Sequence, residues 1–227
     1  MASMAHRVAK GLVGGCALLL GVTVTGCGAP QYTYIANSSA STYFKVPSGW
    51  HEVKAEALTT AEKAVGSSPA PWQVAYEAGT QANGNDFLSF DVSHPFVFAE
   101  VGGLGSTASQ SLSYDALRDF FLPVSSTARS NFSQAFTSRG EPDPFINFQQ
   151  ISDQVLTPGR DGVHGVREIF DYTDALDGVT DTFDEIALTN ADQNEIYFIV
   201  LHCTSTCYSN DQSEINDVMT SFTIGSP

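Results

Sequence analysis

Three short apolar segments with polar connections between them constrain the fold of this chain more than any other feature. Residues 165–172, 182–188 and 195–202 are rich in β-branched and aromatic residues, which favour strands. The connections at residues 173–181 and 189–194 are polar and rich in turn-forming residues. Strands joined by such short connections pair with their neighbours in an antiparallel manner. The sequence therefore predicts an antiparallel meander in the last third of the chain.

A helix is expected after the meander, at residues 209–222. Ser209 and Gln212 fit a capping box at its start. Its apolar residues recur at helical spacing, and they are Ile215, Val218, Met219 and Phe222. The segment therefore predicts a closing helix that packs one face against the sheet.

From residue 42 onwards the chain combines further strands and helices without a repeated βαβ unit. Strand patterns occur at residues 42–47, 72–78, 87–92, 96–101 and 145–156. Helix patterns occur at residues 55–65, 113–122 and 125–138. Residues 82–85 have the chemistry of a hairpin turn, so the strands on either side are expected to form a hairpin. This order predicts an α+β fold, a single domain in which helices pack on a mostly antiparallel β-sheet.

Short patterns at both ends of this region resemble the PsbP and Mog-type fold. The residues that carry the resemblance are Tyr43, Phe44, Val46, Pro47, Gly49 and Trp50, then residues 196–201, then Ser221 and Phe222. Surface lipoproteins of actinobacteria in this group look similar and also carry Cys-x-x-x-Cys-Tyr, here residues 203–208. The resemblance covers most of residues 42–224 and implies a PsbP-like α/β/α sandwich. It also implies a non-enzymatic accessory fold that docks on other proteins, and it transfers no catalytic residue.

The first residues of the chain have the organisation of an export signal. Residues 1–11 are basic without any acid, and residues 12–24 are apolar but too short to span a membrane. Residues 24–27, Val-Thr-Gly-Cys, resemble the lipobox of bacterial lipoproteins. In that class the signal peptidase cleaves before the cysteine, and its thiol carries a diacylglycerol. We therefore expect Cys27 to be the lipidated first residue of the mature protein, and an uncleaved membrane anchor is the alternative.

The predicted domain organisation has three parts. Residues 1–26 are the signal peptide, residues 27–41 a flexible tether after lipidated Cys27, and residues 42–227 the globular domain. Two or more acyl chains hold a protein stably on a membrane, whereas one does not. We therefore expect the mature protein on the extracytoplasmic face of the cell membrane, attached to the membrane through Cys27.

The mature chain is strongly acidic. Without residues 1–26 it has eight basic and 25 acidic residues, a net charge of −17. Such a charge argues against a nucleic-acid partner, because that affinity depends on lysine and arginine. No lysine or arginine follows Arg167, whereas twelve acids do. Solubility explains this bias, and a face for cations or for a basic partner is the alternative.

Cys203 and Cys207 are the thiols that remain after lipidation, and a pair outside the cytoplasm is expected to oxidise. In an extended strand their Cα atoms would be about 13 Å apart, too far for a disulfide. A disulfide therefore requires residues 204–206 to curl, and we predict that they do. The spacing is not the Cys-x-x-Cys of thioredoxin-like enzymes, and no further zinc ligands accompany it.

The histidines and the acidic hairpin do not form a recognisable metal motif. His51, His94, His164 and His202 are scattered, so each is interpreted as structural or exposed, with a site shared by His164 and His202 left open. The acids of the hairpin are Asp171, Asp174, Asp177, Asp181, Asp184 and Glu185. They lack the spacing of an EF-hand around Gly178. A solvated acidic hairpin is favoured, with calcium binding as the alternative.

No nucleophile elbow, phosphate loop or other catalytic motif occurs, so we predict no catalytic residue, metal or cofactor. The favoured hypothesis is a non-enzymatic binding or accessory module for an envelope protein or a small ligand. The alternative is an extracytoplasmic hydrolase whose site combines residues distant in sequence. A deep pocket of Asp, His and Ser side chains would favour the enzyme, and a shallow or apolar groove the binding module.

Overall fold

A computed structural model describes residues 30–64, 70–105, 109, 112–158 and 162–225, with backbone alone at residues 62–64 and 88. The strands are β1 (Tyr32–Asn37), β2 (Thr42–Pro47), β3 (His51–Glu52), β4 (Trp72–Glu77), β5 (Phe96–Gly103), β6 (Phe145–Leu156), β7 (His164–Asp174), β8 (Thr180–Thr189), β9 (Glu195–Thr204) and β10 (Thr223–Ile224). The helices are α1 (Ala55–Ala64), α2 (Tyr114–Arg118), α3 (Ser126–Thr137) and α4 (Ser205–Met219), and Gly84–Leu88 forms a 3-10 turn.

Seven strands form the central sheet, in the order β3-β4-β5-β9-β8-β7-β6, and all their pairings are antiparallel. The meander predicted from the sequence is confirmed as β7-β8-β9. The earlier strands join it through β5, which pairs with β9 from Phe96 opposite His202 to Gly103 opposite Glu195. Because β9 and β8 lie in the middle of the sheet, they are buried on both faces.

Helix α4 and a second, three-stranded sheet cover one face of the central sheet. The small sheet has the order β1-β2-β10. Phe44 and Val46 of β2 pack with Ile215 and Met219 of α4 and with Ile199 of β9. The other face is covered by α1, the 3-10 turn and α2, and Phe132 of α3 stacks on Phe145 of β6 at its margin. The protein therefore has the α+β architecture expected from the sequence, with a mostly antiparallel sheet in a single domain.

The flexible tether predicted for residues 27–41 is wrong from Tyr32 onwards. Residues 32–37 form β1, which pairs with β2 from Tyr32 opposite Pro47 to Asn37 opposite Thr42. Ile35 and Asn37 are buried. The polar composition of the segment does not indicate a strand. The strand forms because its backbone pairs with β2 and its Ile35 is buried in the core.

The strand predicted at residues 87–92 is also wrong, and so is the hairpin turn before it. Asn83 caps the 3-10 turn by accepting a hydrogen bond from the backbone N–H of Asn85. Gly84 packs so closely on α1 that a Cβ atom there would lie 2.6 Å from the Cβ of Ala57. Asn83 and Gly84 therefore serve a helical turn packed on α1, and a long connection joins β4 to β5.

The last helix begins earlier than its sequence pattern predicts. Thr204 caps α4 by accepting a hydrogen bond from the backbone N–H of Cys207, so Ser209 is not the cap. The helix ends at Met219, three residues before the predicted end at Phe222. Its early start follows from the cysteine pair, because the chain turns from β9 into α4 within residues 203–207.

Candidate functional site

One face of the central sheet is covered by aromatic side chains. Alternate residues of β5, β7, β8 and β9 point to this face, and phenylalanine recurs among them. The buried aromatic residues of this layer are Phe87, Phe90, Phe96, Phe98, Phe170, Tyr172, Phe183 and Phe198. The ring centroids of Phe87 and Phe98 are 4.5 Å apart, and those of Phe90 and Phe145 are 5.1 Å apart. These are distances of favourable aromatic pairs, so the layer is rigid and apolar.

An apolar cavity of about 210 Å³ lies within this aromatic layer. Its wall consists of Phe87, Ser89, Phe90, Phe121, Leu122, Phe145 and Phe183. The wall combines the β4–β5 connection, the segment after α2, and strands β6 and β8. An apolar cavity of about 150 Å³ engineered into another protein holds benzene. The cavity of this protein therefore has room for an aromatic ring or a short aliphatic chain.

A more polar groove of about 370 Å³ lies between α3 and β6 and shares Phe145 with the apolar cavity. The ring of Phe132 stacks on Phe145 with centroids 5.2 Å apart. The guanidinium carbon of Arg129 lies 4.1 Å from the ring centre of Phe148, and Asp143 also lines the groove. The two spaces together offer an apolar wall and a charged rim.

Arg118 at the end of α2 holds three carboxylates beside the aromatic layer. Its Nε donates to Glu168 Oε1 at 2.8 Å, its Nη2 to Asp153 at 3.0 Å and its Nη1 to Asp115 at 3.0 Å. Gln150 Nε2 donates to the other oxygen of Glu168 at 3.1 Å. Burial, followed by the hydrogen bond with Asp153, raises the pKa of Glu168 to about 7.

Glu185 lies directly opposite Glu168 in the register of β7 and β8, and both side chains are fully buried. Neither carboxylate oxygen of Glu185 has a hydrogen-bond partner in the described part of the chain. Burial, followed by the nearby charge of Glu168, raises the pKa of Glu185 well above its ordinary value. Burial therefore favours the protonated, uncharged form of Glu185. The sequence could not show this, because it predicts an exposed hairpin.

The β4–β5 connection gathers a second polar cluster, consisting of Glu77, Asp86 and His94. Nε2 of His94 lies 2.5 Å from Oε1 of Glu77, and the backbone N–H of Asn83 donates to Oε2 of Glu77 at 2.7 Å. Burial, followed by the hydrogen bond with Glu77, raises the pKa of Asp86 to about 6. On the other side of the imidazole, Nδ1 lies 3.2 Å from the hydroxyl oxygen of Ser93. The spacing of the histidines did not indicate this cluster, because the fold of the β4–β5 connection brings Glu77, Asp86 and His94 together.

His164 and His202 do not share a site. His164 pairs with Thr189 at one end of β8, and His202 pairs with Phe183 six positions away, about 20 Å along the strand. Nδ1 of His202 lies 3.4 Å from Asp181 Oδ2, and its ring stacks on Phe183. His164 instead contacts the carbonyl oxygen of Gly162 and lines a separate cavity of about 210 Å³ beside α2.

The acidic hairpin is only partly solvated, because β8 lies inside the sheet. Asp177 is exposed and Asp171 and Asp174 are partly exposed, as expected. Asp181, Asp184 and Glu185 are buried, contrary to the prediction. Arg167 donates to both oxygens of Asp184, at 2.9 and 2.8 Å, and the hydroxyl of Tyr208 donates to it at 3.0 Å. Successive residues of a strand point to opposite faces, so the carboxylates of Asp184 and Glu185 do not converge on one ion.

Cys203 and Cys207 form a disulfide, with Cα atoms 5.9 Å apart. The curl that it needs is the first turn of α4, because Cys203 lies in β9 and Cys207 in the helix. Cys27, the expected lipidation site, and the signal peptide lie outside the described residues. Among the described residues, no helix is long and apolar enough to cross a membrane.

No protein-family model matches the sequence, and no curated protein matches it. The chain is similar in structure to a cyanobacterial PsbP of Synechocystis, with a TM-score of 0.47 at 15% identity over 94% of this chain and 99% of that one. It is similar to LpqN of Mycobacterium tuberculosis, with a TM-score of 0.45 at 15% identity over 87% and 91% of the two chains. The Ran-binding protein Mog1p of Saccharomyces cerevisiae gives a TM-score of 0.44 at 7% identity over 86% and 96%.

Proposed function

We propose that this protein is a lipid-anchored, extracytoplasmic module that binds a small ligand in its aromatic cavity. The ligand has an aromatic or aliphatic part that enters the cavity and a polar end that lies in the adjoining groove. The observation that carries the proposal is the apolar cavity of about 210 Å³ that shares Phe145 with a groove containing Arg129. Ligand sites in proteins have this combination of an apolar wall and a few polar groups.

The location in the proposal is supported by the sequence at the start of the chain. Residues 24–27 have the lipobox pattern, and the apolar run before them is too short to span a membrane. Five positions separate Cys27 from Tyr32, where β1 begins. Even fully extended, that segment reaches no more than about 18 Å. A domain anchored in this way stays close to the membrane that supplies or receives its ligand.

A hydrolase is the second candidate, and the contacts around His94 are the observation that favours it. Ser93, His94 and Glu77 provide a hydroxyl, an imidazole and a carboxylate in series, as in a nucleophilic triad. However, Ser93 and His94 are neighbours in sequence, and neither lines the aromatic cavity, the groove or the cavity beside α2. The binding module is favoured because its cavity and groove are formed by residues other than this pair.

Blocking the cavity tests the proposed function. The probe is 1-anilinonaphthalene-8-sulfonate, whose rings match the cavity and whose sulfonate matches Arg129. The purified protein should bind it saturably, and Ser89→Phe, which fills the cavity, should weaken binding roughly tenfold or more. Ser138→Phe places the same ring on the exposed end of α3 and should leave binding unchanged. If Ser89→Phe and Ser138→Phe bind the probe with equal affinity, the probe binds outside the cavity and the proposal is contradicted.

A further inference from the structure

The β4–β5 connection brings three metal-ligating side chains to one point. Glu77 is the last residue of β4, Asp86 lies in the 3-10 turn, and His94 stands two positions before β5. One ligand atom from each of them lies within 4.8 Å of the other two. The set combines a nitrogen donor with two carboxylates, and it belongs neither to the aromatic cavity nor to the groove.

The charges of this cluster favour a cation. Glu77 is only 1% exposed, and a buried carboxylate needs a counterion or several hydrogen bonds. It contacts His94, accepts a hydrogen bond from one backbone N–H and shares a hydrogen bond with Asp86, which adds a second carboxyl group. Among the described side chains, no lysine or arginine forms an ion pair with Glu77 or Asp86. A divalent ion would neutralise both.

Zinc binds nitrogen and oxygen ligands at 2.0–2.2 Å, so two tetrahedral ligands are about 3.4 Å apart. In this cluster Nε2 of His94 lies 2.5 Å from Oε1 of Glu77, and all three ligand atoms lie within 4.8 Å of one another. Asp86 and His94 are partly exposed, so rotations of their side chains can adjust these distances and solvent can deliver the ion. Gly79 makes room for the imidazole, because a Cβ atom at that position would collide with Nε2 of His94.

We propose that Glu77, Asp86 and His94 bind one divalent transition-metal ion, for which zinc is the best match. The imidazole distinguishes this site from a calcium site, which takes six to eight oxygen ligands. Three protein ligands leave the fourth position to water. The bound ion would fix the connection that carries Phe87 and Phe90, two residues of the cavity wall.

Calorimetric titration of tag-free protein, first stripped of metal with a chelator, tests this site. Zinc should bind with one ion per chain and raise the melting temperature. His94→Ala and Asp86→Asn should each weaken zinc binding roughly tenfold or more, because each removes a direct ligand. His164→Ala, which removes an imidazole outside this cluster, should bind zinc as the unchanged protein does. Manganese should bind more weakly than zinc, and calcium should not compete.

The outcomes that overturn the proposal are the absence of zinc binding and zinc binding that is unchanged in both ligand variants. Circular dichroism of each variant without metal separates a lost ligand from a lost fold. If His94→Ala fails to fold, Asp86→Asn decides, because Asp86 is partly exposed and its replacement is isosteric. Gly79→Ala gives an independent measurement, since it displaces the imidazole without removing any ligand and should also weaken zinc binding.

Discussion

At the scale of single residues, the aromatic face depends on how the protein accommodates buried acids. Glu168 accepts hydrogen bonds from Arg118 and Gln150, whereas Glu185 opposite it has no hydrogen-bond partner within the described structure. An ionised carboxylate without a partner is expensive to bury, so Glu185 keeps its proton. Asp184, on the other face of the same strand, accepts two hydrogen bonds from Arg167. Neighbouring acids of β8 are therefore accommodated in different ways.

Glu185→Gln should stabilise the protein above neutral pH. Between the ordinary pKa of 4.5 and the raised pKa of the folded state, the folded protein holds a proton that the unfolded chain has lost. Stability therefore falls as the pH rises through that window. The variant has no such proton, so at pH 8 its free energy of unfolding should be higher by an amount on the order of 1 kcal/mol. Urea unfolding at several pH values measures this.

The control for that experiment is Asp192→Asn, which changes an exposed acid between β8 and β9. Its pH profile should follow that of the unchanged protein. Glu168 contributes to the same pH window, with a pKa of about 7, so the slope in Glu185→Gln should be reduced without disappearing. An unaltered slope in Glu185→Gln would show that Glu185 does not hold a proton in the folded state.

At the scale of elements, the junction of β9 and α4 joins the two layers of the protein. The disulfide joins the end of β9 to the first turn of α4. Helix α4 then packs on β2 of the small sheet, and Trp50 Nε1 donates to Glu214 of α4 at 3.1 Å. The small sheet ends with β10, which follows α4 and pairs with β2. The disulfide therefore fixes the start of α4, the helix on which the small sheet packs.

Replacing both cysteines, Cys203→Ser with Cys207→Ser, should lower the free energy of unfolding by about 2 kcal/mol, the effect of closing so small a loop. Reduction of the unchanged protein should cause a similar loss and leave the double variant unaffected. Thermal unfolding with and without reductant measures both. If reductant destabilises both proteins equally, its effect does not come from this disulfide.

Several elements are predicted well from the sequence. The meander follows from β-branched and aromatic segments with polar connections, and α3 and β6 lie within one residue of their expected bounds. The β4–β5 connection could not be predicted in this way, because its 3-10 turn depends on packing against α1. Because a strand was expected at residues 87–92, neither the cluster at His94 nor the part of the cavity wall formed by this connection was predicted. The burial of Glu185 was hidden for a related reason, since it depends on the strands on either side of β8.

At the scale of the whole molecule, the two faces of the central sheet have different roles. One face carries α4 and the small sheet, whose first strand begins five positions after Cys27. The other carries the aromatic layer, the cavity and the groove. The proposed anchor therefore leads into one layer and the proposed ligand site lies in the other. In this arrangement the ligand site is separated from the anchored layer by the full thickness of the sheet.

The central claim, a lipid-anchored domain that carries a small ligand, can be tested by one mass-spectrometric measurement on the protein extracted from its own membrane. Under denaturing conditions, the account predicts a chain that begins at Cys27 and carries a diacylglycerol. Under native conditions, it predicts one additional small molecule per chain, which is absent from Ser89→Phe. A chain that begins before Cys27 without lipid, or native and denatured masses that agree in both proteins, would contradict the account.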